Sequence, residues 1–149
     1  MEKKYDDNVE HIERLLRRIC FEIKKKGREL LSGYNITPPQ FDALQRIRWN
    51  GEMTIGELSN TLYLAPSTIT DLVDRMEKNG LVERIRDTKD RRVVKVAVLE
   101  KGCQLIEEVL HLRCEFISEI LSDVSTEGKE EFTKYLEIFI NSPYFTQCK

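Results

Sequence analysis

Small hydroxyl residues and arginines follow one another closely in the middle of this chain of 149 residues. The segment PSTITDLVDRMEKNG opens with a proline and short polar residues and closes on Asn79-Gly80. Short polar side chains at the start of a helix can approach another surface closely and hydrogen-bond to base edges and phosphate oxygens. The pattern is typical of a helix that enters a groove of DNA.

Basic residues are concentrated immediately after that segment, in LVERIRDTKDRRVVKVAVL. Residues 81–95 carry a net charge of +3, whereas the rest of the chain sums to −5. A basic patch on an acidic body orients a protein on a polyanion and limits binding through the wrong face. An arginine at a hairpin tip can also enter a narrow minor groove. Asp90 is predicted to orient a neighbouring arginine through a bidentate pair.

The candidate DNA contacts are therefore the polar residues that start and line the helix and the charged residues of the hairpin. They are Pro66, Ser67, Thr68, Thr70, Asp71, Arg75, Arg86, Lys89, Asp90, Arg91 and Arg92. Hydroxyls at a helix start are also ordinary helix caps, and single charges are also ordinary solvated side chains. Their combination in one segment favours the DNA-binding interpretation.

Hydrophobic periodicity and helix caps predict the elements that position these residues. Helices are expected over residues 8–32, 37–50, 54–62, 66–80 and 100–122, with a last helix after Ser125, and strands over 81–86 and 92–99. Thr37 with Gln40, and Thr54 with Glu57, have the spacing of capping boxes. Gly80 is expected to be a left-handed cap. The fold class is mainly α (α+β): a winged helix–turn–helix with a two-stranded wing, flanked by N- and C-terminal dimerisation helices.

Apolar residues on the terminal helices exceed what so small a DNA-binding core can cover. We therefore expect residues 36–99 to form the DNA-binding domain and residues 1–35 and 100–149 to form a helical dimerisation region. The alternative is that these apolar residues pack within a single subunit.

The stretch ITPPQFDALQRI…MTIGELSNTL…STITDLVDRMEKNGLVERIRDTKDRRVVKVAVLEKG resembles the multiple-antibiotic-resistance regulator (MarR) family of bacterial winged-helix repressors. The resemblance covers the central two-thirds of the chain and includes the D-x-x-D-R-R pattern of the wing. It implies a homodimer that binds pseudo-palindromic operators through a recognition helix, residues 66–80, and a wing, residues 81–99.

Carried over to this chain, the resemblance implies a role for each group of candidate residues. Ser67, Thr68 and Thr70 meet the major groove, Arg75 meets a phosphate, Arg91 or Arg92 enters the minor groove, and Asp90 organises the wing. Asp71 departs from the family, in which many relatives have a basic or neutral residue at this position. An aspartate can accept from cytosine N4 but repels phosphate, so the operator is expected to differ from those of such relatives.

The resemblance also implies an effector, because family members commonly release DNA on binding small aromatic ligands or on cysteine oxidation. Cys20 lies roughly where peroxide-sensing relatives carry their reactive cysteine. Arg28, Tyr34, Phe41 and Trp49 are residues of the types that could line a ligand cleft. Constitutive DNA binding, or an effector of another kind, stays open at this point.

Other classes of function have little support in the sequence. There is no enzyme motif. The spacing of the cysteines fits neither a metal site nor a disulfide framework, and the spacing of the histidines fits no metal site. These residues are Cys20, Cys103, Cys114, Cys148, His11 and His111. We expect reduced thiols, no cofactor and no metal. No apolar run reaches the roughly 18 residues of a membrane span, and the chain does not start like a signal peptide. We therefore expect no membrane partner, and a cytoplasmic, bacterial protein.

The rival from another class is a winged-helix module that docks proteins rather than DNA. Its second helix is expected to present apolar residues outward. The outward positions here are hydroxyl and charged residues, so double-stranded DNA is the favoured partner.

Overall fold

A computed structural model describes residues 4–145 of the chain. Along the chain the elements are α1 (Asp7–Leu31), α2 (Pro38–Asn50), β1 (Met53–Thr54), α3 (Ile55–Leu62), α4 (Pro66–Lys78), β2 (Val82–Arg86), β3 (Val94–Val98), α5 (Glu100–Ile120) and α6 (Thr126–Ile140). Residues up to Val109 form one compact unit, and residues from Leu110 form a second. Cys148, predicted to be a reduced thiol, lies outside the described residues.

Both predicted capping boxes are confirmed, and they determine where α2 and α3 begin. The Thr37 hydroxyl accepts from the Gln40 amide N–H at 3.4 Å, while the Gln40 side chain accepts from the Thr37 N–H at 2.9 Å. Thr54 and Glu57 make the same reciprocal pair at 3.1 and 2.7 Å. Each pair satisfies N–H groups that the first turn of a helix leaves without a partner.

The sheet has three antiparallel strands in the order β1-β3-β2, one more than the sequence predicts. The predicted hairpin is confirmed, and it pairs Val82 with Val98 and Arg86 with Val94. The additional strand β1 pairs Met53 with Val96. A strand of two residues has no detectable period, so only the tertiary pairing reveals it. It ties the hairpin to the start of α3.

The core of the first unit lies between α2, α3, α4 and the sheet. Its largest fully buried side chains include Phe41, Leu44, Leu58, Ile69, Val73, Met76, Val82 and Val96. The buried residues of α4 are Ile69, Val73 and Met76, which recur at helical spacing and form its inner face. Because that face is buried, the opposite face of α4 is turned toward solvent.

Two terminal helices leave apolar faces uncovered in the single chain. On α1, Val9, Ile12, Leu15, Ile19 and Ile23 recur at helical spacing and are each between 43% and 49% exposed. On α6 no residue is buried, and Phe132, Tyr135, Leu136 and Phe139 are all exposed. Within the described residues, no helix combines the length and the apolar character needed to cross a membrane. Both apolar faces are exposed in the single chain, and their burial in a dimer stays a prediction.

Candidate nucleic-acid interface

The N-terminal turn of α4 presents short polar side chains to solvent. Pro66 occupies the first helical position, and the residue before it makes no side-chain capping hydrogen bond. Ser67, Thr68 and Thr70 are exposed, whereas Ile69 between them is fully buried. The predicted outward positions thus share one exposed face, at a helix end whose N–H groups favour a phosphate oxygen.

One of these hydroxyls is already engaged. Thr70 Oγ1 donates to the Pro66 carbonyl oxygen at 2.9 Å, within the first turn of the helix. The hydroxyl proton is therefore used in this hydrogen bond and is not available to DNA. The hydroxyl oxygen can still accept a hydrogen bond, and the side chain also presents its methyl group. At this position a base edge that donates, or a thymine methyl, is the complementary group.

Arg84 links the wing to α4, a role that the sequence analysis missed. Its Nη1 donates to Glu77 Oε2 at 2.6 Å, and its backbone N–H donates to Glu77 Oε1 at 2.9 Å. Its Nη2 donates to Asp74 Oδ1 on the same helix. The Arg84 side chain is 26% exposed, and its guanidinium is paired with two carboxylates of α4.

This network also alters the electrostatics of the interface. Partial burial lowers the pKa of Arg84, but the hydrogen bonds that it donates to Asp74 and Glu77, with the charges of those carboxylates, outweigh burial and the pKa is raised. Arg84 stays charged and offsets one of the two negative charges that Asp74 and Glu77 place on α4. Because these carboxylates are paired, they repel an approaching phosphate less than free carboxylates do.

Asp87 organises the hairpin tip, which we define as residues 87–93. Its Oδ1 accepts from the backbone N–H groups of Lys89 and Asp90 at 2.7 and 3.3 Å. Its Oδ2 pairs with Lys95 Nζ at 2.6 Å. The hydrogen bond from Lys95, and then those from the two backbone N–H groups, lower the pKa of Asp87 to about 2. In the sequence Asp87 is the first residue of the D-x-x-D-R-R pattern, which by itself does not reveal this role.

Asp90 contributes to the tip differently from the predicted bidentate pair. Its Oδ1 accepts from the Arg92 backbone N–H at 3.0 Å and lies 3.5 Å from Arg92 Nε. The prediction of a bidentate pair is wrong, because the same oxygen, Oδ1, makes both contacts and its hydrogen bond is to the backbone. The Arg92 side chain remains 94% exposed. Asp90 therefore shapes the tip through the backbone more than it holds the guanidinium.

Other cations of the patch remain available to a ligand. Arg86, Lys89 and Arg91 are exposed, and the described part of the chain offers them no ion pair. Arg75 on α4 is exposed as well, as is Asp71. The basic patch thus divides into charges committed to internal pairs, Arg84 and Lys95, and charges directed to solvent at or near the hairpin tip.

The predicted effector residues do not share one site. A cavity of about 350 Å³ is lined by Tyr34, Asn79, Lys101 and Glu108, among others. Burial and then the neighbouring Glu108 carboxylate raise the pKa of Tyr34. Phe41 is fully buried in the core. Arg28, Trp49 and Cys20 are exposed, and none of the three lines this cavity.

Replacing Arg84 tests whether it joins the wing to α4. Arg84→Met should lower the free energy of unfolding by about 1–3 kcal/mol, because it leaves two partly buried carboxylates without their charged donor. Arg84→Lys should recover little of this loss, since an ammonium group cannot reproduce the two-pronged geometry. In the Asp74→Asn/Glu77→Gln background the effect of Arg84→Met should shrink. Urea unfolding of this mutant cycle measures the coupling, and equal losses in both backgrounds would contradict the link.

Titration of stability tests the role of Asp87. Its pKa in the folded protein is about 2, below its ordinary value of 3.8. The carboxylate therefore stabilises the fold above about pH 4, and this contribution is lost as the pH falls through about 2. Asp87→Asn should be less stable at pH 7, and its loss of stability between pH 4 and pH 2 should be smaller than that of the unchanged protein. Parallel curves would show that Asp87 makes no net ionic contribution.

Comparisons with known proteins agree with this geometry. A family model described as MarR family matches residues 36–94. The chain is 48% identical over 136 residues to HTH-type transcriptional regulator YsmB of Bacillus subtilis (strain 168), covering 91% of this chain and 93% of that protein. It is 33% identical over 119 residues to the organic hydroperoxide resistance transcriptional regulator of the same organism, covering 75% and 78%.

Solved structures are similar over nearly the whole chain. A MarR family protein from Bacillus stearothermophilus superposes with a TM-score of 0.85 at 47% identity, covering 92% of this chain and 96% of that one. The relatives are transcriptional regulators and not enzymes, which confirms the class expected from the sequence. The chain belongs to the MarR family of winged helix–turn–helix transcriptional regulators.

Proposed function

We propose that this protein is a homodimeric repressor that binds a pseudo-palindromic operator and leaves it in response to a chemical signal. The observation that carries the proposal is the pairing of an exposed, polar helix start with unpaired cations at the adjacent hairpin tip. A helix of this kind reads base edges, while flanking cations displace counterions from the phosphates. Family membership indicates DNA-binding regulation; the residues, the dimer and the signal are our inference.

In this proposal α4 enters the major groove with its N-terminal turn. Ser67, Thr68 and Thr70 meet base edges, Asp71 accepts from a cytosine amino group, and Arg75 binds a phosphate. Pro66 brings the helix start close to the bases. Arg86, at the end of β2, and Lys89, at the hairpin tip, bind phosphates, and Arg91 or Arg92 enters the minor groove. Asp87 and Asp90 hold the tip in shape.

The dimer follows from the apolar faces of α1 and α6. Several large apolar side chains at helical spacing are too many to leave in water on one small protein. A second copy of the chain covers them in our proposal, and its two-fold symmetry places two recognition helices one turn of DNA apart. Such a protein acts in the cytoplasm, where bacterial DNA lies. No cofactor enters the proposal.

Two signals are compatible with the described residues. The cavity beside Tyr34 is large enough for a small aromatic ligand, and Lys101 offers a cation for an acidic group. The second candidate is oxidation of Cys20, favoured by its exposure and by the 33% identity to a regulator named for organic hydroperoxide resistance. Both act by favouring a form of the dimer whose recognition helices no longer match the operator.

The DNA-binding proposal is tested by selecting bound duplexes from a random library. A dimer should enrich a pseudo-palindrome, and affinity for it should fall steeply with salt. On that duplex, Arg91→Ala or Arg92→Ala should weaken binding by about 1–3 kcal/mol. Arg17→Ala is the matched control, because this exposed arginine lies on α1, outside the proposed interface with DNA, where it pairs with Glu13. A different result is that the folded dimer enriches no sequence from the library and that its binding to DNA does not depend on salt. That result favours the alternative of a winged-helix module that docks proteins.

The signal is tested on the same complex with two classes of reagent. If Cys20 is the sensor, an organic hydroperoxide should release DNA from the unchanged protein and not from Cys20→Ser. If the cavity is the site, a panel of aromatic acids should release DNA, and Lys101→Met should weaken this response without changing operator affinity in the absence of ligand. Release by hydroperoxide from Cys20→Ser would exclude that thiol, and absence of release by any acid would exclude the cavity as a site for aromatic acids.

A further inference from the structure

Tyr63, in the turn between α3 and α4, has an unfavourable backbone conformation. Its φ and ψ are 54° and 39°, in the left-handed helical region. Among the residues that the structure describes, it is the only non-glycine residue with a positive φ. A bulky side chain is rare there, because its Cβ crowds the carbonyl oxygen that follows. Glycine adopts the same conformation without this cost.

Hydrogen bonds with Ser59 hold this turn, and none of these bonds uses the tyrosine side chain. The Ser59 carbonyl oxygen accepts from the backbone N–H groups of Tyr63 and Leu64. The Ser59 hydroxyl donates to the Leu64 carbonyl oxygen at 2.6 Å. The Tyr63 side chain is itself 84% exposed. The fold therefore gains little from a tyrosine at a position where glycine is less strained.

The position of Tyr63 relative to α4 indicates what the side chain can meet. Tyr63 precedes Pro66, the first residue of α4, by three residues, so the two Cα atoms lie at most about 11 Å apart. In a helix–turn–helix the first helix crosses the DNA backbone and the second enters the groove. The turn between them is therefore adjacent to the phosphates that border the groove.

We propose that the Tyr63 hydroxyl donates a hydrogen bond to a phosphate oxygen of the DNA backbone beside the major groove. This inference rests on the proposed entry of α4 into that groove. Tyrosine is one of the neutral donors that position proteins on the DNA backbone. Because the phenol carries no charge, the contact fixes the register of α4 and adds nothing to counterion release. The strained conformation is retained for binding, at a cost to stability.

The experiment compares Tyr63→Phe and Tyr63→Gly on the selected operator duplex. Tyr63→Phe removes only the hydroxyl, and it should lower affinity about ten- to hundredfold, the effect of one hydrogen bond to a charged acceptor, with an unchanged salt slope. Tyr63→Gly should lower affinity at least as much while raising the thermal midpoint, because it relieves the left-handed strain. Tyr144→Phe is the matched control: this tyrosine is 94% exposed, belongs to the other unit, and should bind DNA normally.

Two outcomes overturn the inference. If Tyr63→Phe binds as tightly as the unchanged protein, the hydroxyl does not contact phosphate. If Tyr63→Gly has a lower thermal midpoint, the side chain serves the fold and its conformation needs no explanation from DNA binding. Failure of the proposed function is distinguishable, because the unchanged protein then enriches no duplex. If it binds an operator in an Arg91-dependent manner while Tyr63→Phe is without effect, only the tyrosine contact is refuted.

Discussion

The burial of one face of α4 is the constraint on which the interface depends. Ile69, Val73 and Met76 are fully buried against the remainder of the first unit. Because these residues recur at helical spacing, their burial leaves α4 only one rotation about its axis. That rotation turns Ser67, Thr68 and Thr70 to solvent without any further interaction. The same hydrophobic core that stabilises the unit therefore also aims the helix that is proposed to read DNA.

A second level of organisation is ionic. The patch of residues 81–95 carries acidic as well as basic residues, and some of them form ion pairs within the protein. Arg84 is directed inward to α4, and Lys95 is directed to Asp87 at the hairpin tip. These pairs fix the angle of the wing and the shape of its tip, while the remaining cations stay in solvent. The six basic residues of the patch thus overstate the number of cations that a ligand can meet, which is four.

Local sequence patterns predicted the helices of this protein well, and the candidate site only in part. The starts of α2 and α3 depend on hydrogen bonds between residues three apart, which a capping-box pattern reveals. The exposed face of α4 follows from its apolar spacing. By contrast, the residues predicted for an effector cleft are dispersed in the structure: Phe41 lies in the core, and Tyr34 lines the cavity beside Glu108, which Arg28 and Trp49 do not line. Residue type alone does not say which side chains face one space.

The sequence by itself determined the helices, the hairpin, the polar start of α4 and the basic character of the wing, because each arises from interactions within a few residues. The tertiary structure decided the pairing of β1 with β3, the contact of Arg84 with Asp74 and Glu77, and the contact of Lys95 with Asp87. It also decided the left-handed turn at Tyr63. The physical reason is that these features depend on which distant groups the packed core brings together, and on what the surrounding chain can hold in place.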